Sequence, residues 1–246
     1  METRQAAAFS GKKALVVGGT GGIGREVALL LAENGAALTI HGGSSTEKLK
    51  AAIKAITDSG GKAAGFLLPI DNPSAAKEII ALSPPVDILV CAWGPFRQAS
   101  LDALDIETWQ DMTFSNLAFP GILVSHFIKG MMDRNWGRIL LFGGTNTDTI
   151  RGFTTTTAYS AAKTALGVIA KSAAKTAGSR SVTCNVVCPG LTDTEYTSLE
   201  LRRYNRLKSP SGQALSAKQV ALAALAIISN PAINGAIVPV DEGLSL

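Results

Sequence analysis

The chain has 246 residues, 46% of them hydrophobic, enough to bury one large α/β core as a single domain. Its formal charge of +4, with no long basic run, is too modest to argue nucleic-acid binding and suits an anionic small ligand or an acidic partner equally. No uninterrupted apolar stretch reaches the roughly eighteen residues of a membrane span, and residues 1–10 lack a basic region followed by an apolar run, so neither a membrane helix nor a secretion signal is expected.

In chain order, Ala14-Leu15-Val16-Val17 is an apolar run that leads straight into Gly18-Gly19-Thr20-Gly21-Gly22-Ile23-Gly24, and residues 25–34 then carry apolar side chains at helical spacing. Strand, glycine turn and helix in that order form a phosphate cradle: glycines let the backbone turn sharply and approach a pyrophosphate, and the helix N-terminus offers amide donors and partial positive charge. Residues 36–41 read as the second strand, ending in Gly42-Gly43-Ser44-Ser45. Dinucleotide folds place an acidic residue about 20 positions past the turn to hold the ribose 2′-hydroxyl, and none stands here. Gly42 and Gly43 leave room for a 2′-phosphate, with Ser44, Ser45, Arg25 or Lys48 as partners, so NADP(H) is favoured over NAD(H). The alternative is that Gly42-Gly43 is a plain βα turn that leaves the preference open.

Strands are expected at residues 64–68, 86–91, 138–142, 182–187 and 236–240, with helices over 106–132, around the Tyr159 segment and over 217–228. Repeated βα units of this length predict a parallel sheet buried on both faces with right-handed crossovers, and ligands beyond the carboxyl ends of its strands. Asp71, Gly94, Gly144-Thr145 and Pro189-Gly190 all fall at such ends. Cys91, Cys184 and Cys188 lie inside apolar runs, an odd count that reads as buried free thiols in a reducing, cytoplasmic compartment. His41 and His126 are isolated, and no metal site is expected.

Tyr159-Ser160-Ala161-Ala162-Lys163 opens a segment rich in strong helix formers, so the phenol and the amine, four positions apart, share one helical face. A tyrosine titrates near 10, and acid/base work near neutrality asks for a shift of roughly 3 units, about 4 kcal/mol. A neighbouring cation favours the phenolate and supplies part of it.

Together these residues resemble the short-chain dehydrogenase/reductase family over nearly the whole length, most closely its 3-oxoacyl-[acyl-carrier-protein] reductase-like subgroup. The matching motifs are Gly18-x-x-x-Gly22-Ile23-Gly24, Asp71, Asn116, Tyr159-x-x-x-Lys163, Asn185-x-x-x-Pro189-Gly190-x-x-x-Thr194 and the closing Val240-Asp241-Glu242-Gly243. The resemblance implies a doubly wound (Rossmann) α/β three-layer sandwich with a mostly parallel seven-stranded sheet. It implies Tyr159 as proton donor to a substrate carbonyl, Lys163 lowering the tyrosine pKa and holding the nicotinamide ribose, and Asn116 holding a water that links Lys163 to solvent. The implied coenzyme contacts are Gly18, Thr20, Gly21, Gly22, Ile23, Gly24, Gly42, Ser44, Asp71, Asn72, Cys91, Gly94, Pro189, Gly190, Thr192 and Thr194, with Tyr159 and Lys163.

The sequence also departs from the family pattern. Where a serine usually polarises the carbonyl, the chain reads Phe142-Gly143-Gly144-Thr145-Asn146; Thr145 is assigned that role, with Gly144 at the serine position as the alternative. Cys91-Ala92-Trp93-Gly94 replaces Asn-Asn-Ala-Gly, and Trp93 reads as a packed aromatic in preference to a residue that narrows the substrate cleft. Residues 194–216 are the expected substrate lid, with Arg202, Arg203, Arg206 and Lys208 forming either an anion-binding face or, preferred, a solvated helix face. Arg134 and Arg180 match basic docking positions for an acyl carrier protein. An NADP(H)-dependent carbonyl reductase acting on 3-oxoacyl thioesters is therefore expected, as a homotetramer. The alternatives are a dehydrogenase of a small secondary alcohol, sugar or polyol, and a nucleotide-binding scaffold with little or no turnover.

Overall fold

The computed structural model describes residues 8–245; residues 1–7, most of the stretch read for a leader, lie outside the described residues. Short β-branched and aliphatic runs form the strands, and their order in the sheet is β3 (Lys62–Leu67), β2 (Ala37–Gly42), β1 (Lys13–Val17), β4 (Ile88–Cys91), β5 (Gly137–Phe142), β6 (Val182–Pro189) and β9 (Ile237–Val240). Every pairing in this sheet is parallel. The order reverses between β1 and β4, and at such a switch point the loops beyond the two strands diverge and open a crevice.

Alternation along each strand divides the core into two layers. From β1, Ala14 and Val16 pack against α1 (Gly22–Glu33), α2 (Thr46–Asp58) and α8 (Ala217–Ser229). Leu15 and Val17 point the other way, toward α3 (Ala75–Leu82), α5 (Phe119–Asp133) and α6 (Thr157–Ala177). Fully buried side chains such as Leu15, Ile40, Ile88 and Leu89 contribute roughly 1.5–3 kcal/mol each. This is the doubly wound three-layer sandwich; every residue of β4, β5 and β6 is buried, which explains the unbroken apolar run of β4, while Arg138 in β5 and Thr183 and Asn185 in β6 are buried polar exceptions.

Three local differences from the sequence reading have physical causes. The edge strand β3 begins at Lys62, because its register with β2 is set by pairing from Ala37 onward while its outer side chains stay partly exposed and give no apolar signal. Helices α2 and α3 escape the sequence reading because α2 is about half polar and α3 spans only 8 residues, too few turns to show a period; Ser45 caps α2 by accepting from the Lys48 amide. The single helix expected over 106–132 is interrupted: α4 (Ile106–Thr113) passes into a π-helical turn, Phe114–Ala118, before α5 begins. Such a bulge redirects side chains from the helix, and Ser115 and Asn116 are the residues of the turn buried beneath it.

A small two-stranded ribbon, β7 (Thr192–Asp193) with β8 (Leu215–Ser216), brackets α7 (Leu199–Lys208) and closes the segment that rises over the sheet. Among the described residues no helix is long and apolar enough to cross a membrane.

Candidate active site

A cleft of about 450 Å³ opens at the switch point, lined by Gly18, Thr20, Gly21, Gly22 and Ile23 from the first turn, Gly43, Ser44, Ser45 and Lys48 beyond β2, Ala92, Trp93 and Gly94 beyond β4, and Thr194 and Tyr196 from the far side. The turn is held open by close backbone packing. A methyl group on Gly18, whose φ is +80°, would lie 2.9 Å from Trp93 Cβ, and one on Gly24 would run into the Gly18 carbonyl. Neither position tolerates a side chain, so α1 can start directly under the cleft. No acidic residue occupies its first turn and no side chain caps Gly21.

At the carboxyl ends of β4 and β5 the catalytic candidates converge. Lys163 is buried, and its Nζ donates to the Phe142 carbonyl at 2.8 Å and lies 5.7 Å from the Tyr159 ring centroid. A methyl group on Gly94 would come within 3.2 Å of that Nζ and would collide with Asn116 Oδ1, so Gly94 is the point where the lysine and the asparagine meet. Asn116 Nδ2 donates to the Pro95 carbonyl at 3.1 Å, while Oδ1 is buried and has no protein partner. Phe96 packs edge-on against Tyr159, ring centroids 5.0 Å apart.

Burial dominates the electrostatics. It pushes the Lys163 ammonium down to about 8, and it pushes the Tyr159 phenol up to about 12, with nearby Cys188 adding to the rise. The expected lowering of the tyrosine by Lys163 is thus absent: Nζ stands 5.7 Å from the ring centroid, engaged by the Phe142 carbonyl, and burial penalises the phenolate. Tyr159 is held firmly in its protonated, donor form.

Other expected site residues fall in different places. Gly144 lies against the phenol, since a methyl group there would sit 2.8 Å from Tyr159 Oη, whereas Thr145 Oγ1 donates to the Pro189 carbonyl at 3.2 Å. Gly42 is buried and packed on Thr20 and Leu67, so its smallness serves the end of the strand; Gly43, where an added Cβ would have no atom within 4 Å, and Ser44 are the residues that face the cleft. Arg25 does not line it. Cys91 is turned by strand alternation into the α5–α6 layer beside Lys163, and burial raises its thiol to about 12. Asp71 and Asn72 are exposed beyond β3, joined to each other at 2.7 Å. Thr192 Oγ1 donates to the Gly190 carbonyl, and the Gly190 amide donates to Val240, so this stretch is braced internally below the cleft. Asn185 fixes the turn into β9 through Ile233 and Ala236 and takes no part in the site. Trp93 packs edge-on against Phe119, as read, and also lines the coenzyme side of the cleft. All three cysteines are free and buried.

The sequence reading missed Phe96 and Glu195. An aromatic two residues past Gly94 is the only signal for the first. Glu195 has none, because its role depends on a contact across 173 residues: the Gly22 amide donates to its carboxylate at 3.0 and 3.2 Å.

A family model described as short chain dehydrogenase matches residues 12–204. The chain belongs to that family. Similar short-chain dehydrogenases include the 3-oxoacyl-[acyl-carrier-protein] reductase FabG of Escherichia coli (strain K12), 32% identical over 245 residues that cover 96% of this chain and 98% of that protein. The FabG of Aquifex aeolicus (strain VF5) is 32% identical over 249 residues, with 96% and 98% covered. Among solved structures, a 3-oxoacyl (acyl-carrier-protein) reductase from Agrobacterium tumefaciens C58 with NADP bound superposes with a TM-score of 0.89 at 27% identity, covering 99% of this chain and 98% of that one. A short-chain dehydrogenase/reductase from Serratia marcescens reaches 0.87 at 27% identity, with 97% and 100% covered. The protein is therefore an oxidoreductase built on the fold described above.

The residues present fit the nicotinamide dinucleotide of this family. The glycine cradle turns the N-terminus of α1 toward the cleft, where its Gly22 amide already holds a carboxylate, that of Glu195, and Ser44, Ser45 and Lys48 line the end of the cleft beyond β2.

Proposed function

We propose that the protein is an NADP(H)-dependent reductase that converts a carbonyl to a secondary alcohol, with 3-oxoacyl thioesters as its substrate class. The observation that carries this reading is the meeting of Asn116 and Lys163 at Gly94, with Tyr159 one helical turn before the lysine and protonated beside the glycine-turn cleft. When bound, the nicotinamide supplies the hydride. Tyr159 donates its phenolic proton to the carbonyl oxygen, and Lys163, with Asn116 Oδ1 as an acceptor close by, returns a proton from solvent. Thr145 supplies a second hydroxyl to that oxygen by exchanging its Pro189 bond for the substrate; Gly144 has none to give.

Lys48, with Ser44 and Ser45 beside it, supports NADP(H) over NAD(H), as does the NADP in the Agrobacterium relative. The FabG relatives support the thioester class and an acyl carrier protein as its bearer. Residues 194–216 act as the lid of one domain: α7 exposes Leu199, Tyr204 and Leu207 as an apolar face suited to an acyl chain. A homotetramer is supported by an apolar cavity of about 640 Å³ between residues 148–153 and the outer face of α6, with Ile150 and Val168 exposed beside it. The compartment is cytoplasmic, in keeping with three unpaired thiols.

Fluorescence titration with NADPH and NADH, followed by assay with a short 3-oxoacyl thioester and a panel of ketones, tests this reading. Tyr159→Phe is expected to keep NADPH binding and lose at least about 10²-fold in rate. Binding of NADH alone reverses the coenzyme assignment, and binding without turnover of any carbonyl leaves a nucleotide-binding scaffold.

A further inference from the structure

The N-terminus of α1 lacks a capping side chain and a first-turn carboxylate of its own, in contrast to α2, which has both Ser45 and Glu47. Its partner comes from the other side of the cleft. A tight turn after β7, braced by the Thr194 and Thr197 hydroxyls, projects Glu195 and Tyr196 over the glycine loop. Both Glu195 oxygens accept from the Gly22 amide, at 3.0 and 3.2 Å, and Glu195 Oε1 lies 2.5 Å from where a Gly21 methyl would be. Tyr196 is held in turn by Lys48, whose Nζ donates to its hydroxyl at 3.2 Å and stands 4.3 Å from the ring centroid.

We infer that Glu195 is an internal competitor for the coenzyme: its carboxylate takes the pyrophosphate position in the ligand-free chain, and the Tyr196–Lys48 contact latches it there. Two anions cannot share one set of helix-terminal donors without strong repulsion, so the 194–197 turn must lift before a pyrophosphate seats. The same movement frees Lys48 for a second anion. Coenzyme affinity is therefore set by a difference, the gain from the pyrophosphate less the loss of the Glu195 and Tyr196 contacts. A dinucleotide whose 2′-phosphate engages Lys48 regains part of that loss.

This inference rests on the dinucleotide reading, and the test separates the two. Wild type and Glu195→Gln, an exposed loop position where folding is not at stake, are titrated with NADPH, with NADH and with inorganic pyrophosphate. Amide exchange over residues 18–24 is followed in the ligand-free proteins. Expected are about tenfold tighter binding of NADPH and of pyrophosphate by Glu195→Gln, and faster exchange in the glycine turn. Tyr196→Phe, which removes the latch hydroxyl and keeps the ring, should shift NADPH affinity the same way by a smaller factor. Unchanged or weaker pyrophosphate binding by Glu195→Gln, no measurable binding included, overturns the inference, as does unchanged exchange. Should neither protein bind NADPH or NADH while pyrophosphate affinity and exchange both rise, the dinucleotide reading fails and the gate stands.

Discussion

Lys163 and Tyr159 are pulled in opposite directions by one cause, and pH dependence follows from it. Burial lowers the lysine from 10.5 to about 8, so between those values the unfolded chain binds more protons than the folded one and stability rises with pH. The buried thiols work against this above about 9: Cys91, Cys184 and Cys188 all have raised pKa values, and Tyr159, raised from 10.0 to about 12, adds to the fall above 10. Thermal stability is expected to climb from about pH 8, peak near 9 and then decline, as differential scanning calorimetry across pH 6–11 would read. Lys163→Met should abolish that climb and raise the melting temperature near neutrality, because it removes a buried ammonium satisfied here by a single carbonyl, while eliminating turnover. The rate of carbonyl reduction should fall above about pH 8 as Lys163 loses its proton, not near the tyrosine value; a pH–rate profile of kcat distinguishes the two. Thr145→Ala is expected to slow turnover by roughly 10²-fold with coenzyme affinity kept. An unchanged rate would leave Tyr159 as the sole donor to the substrate oxygen.

The decisive element is the β1–turn–α1 unit, where the approach of two backbones sets what a side chain can be. Gly24→Ala would drive a Cβ into the Gly18 carbonyl and to 3.1 Å from Ala92 Cβ, forcing α1 away from the sheet. A loss of about 1–3 kcal/mol in urea unfolding and at least tenfold in NADPH affinity is expected. Gly43→Ala, with no atom within 4 Å of the added Cβ and no positive φ, should leave stability unchanged, which separates a structural glycine from one that merely lines the cleft. The π-helical turn between α4 and α5 is the second such element: an uninterrupted α-helix through residues 114–118 would rotate Asn116 away from Gly94.

For the molecule as a whole, the two ends of the sheet do different work. The site lies at the strands' carboxyl ends, while Arg134 and Arg180 lie at the opposite end of α5 and α6, a helix of 21 residues and so roughly 30 Å from Tyr159. Arg134 is moreover engaged by Asp87 at 3.0 Å and by the Val86 carbonyl. Within one chain these arginines therefore stand far from its own site. On α7, Arg202 is tied to the Thr194 carbonyl at 3.0 Å, whereas Arg203, Arg206 and Lys208 are exposed, in line with a solvated face. The apolar cavity beside Ile150 and Val168 is the surface on which assembly is expected to depend. Val168→Glu should lower the oligomeric state in light scattering without lowering the stability of the chain, since the side chain is already 68% exposed.

The sequence by itself determined the parallel sheet, the glycine cradle and the Tyr159–Lys163 face, because each rests on local rules: apolar runs, glycine backbone freedom and the period of a helix. The tertiary structure alone decided which glycine meets which backbone, that Cys91 faces the core while Gly43 faces the cleft, that burial raises Tyr159, and that Glu195 reaches the first helix. Those are sums over neighbours distant in the chain, and no local pattern of residues encodes a distance between segments that folding brings together.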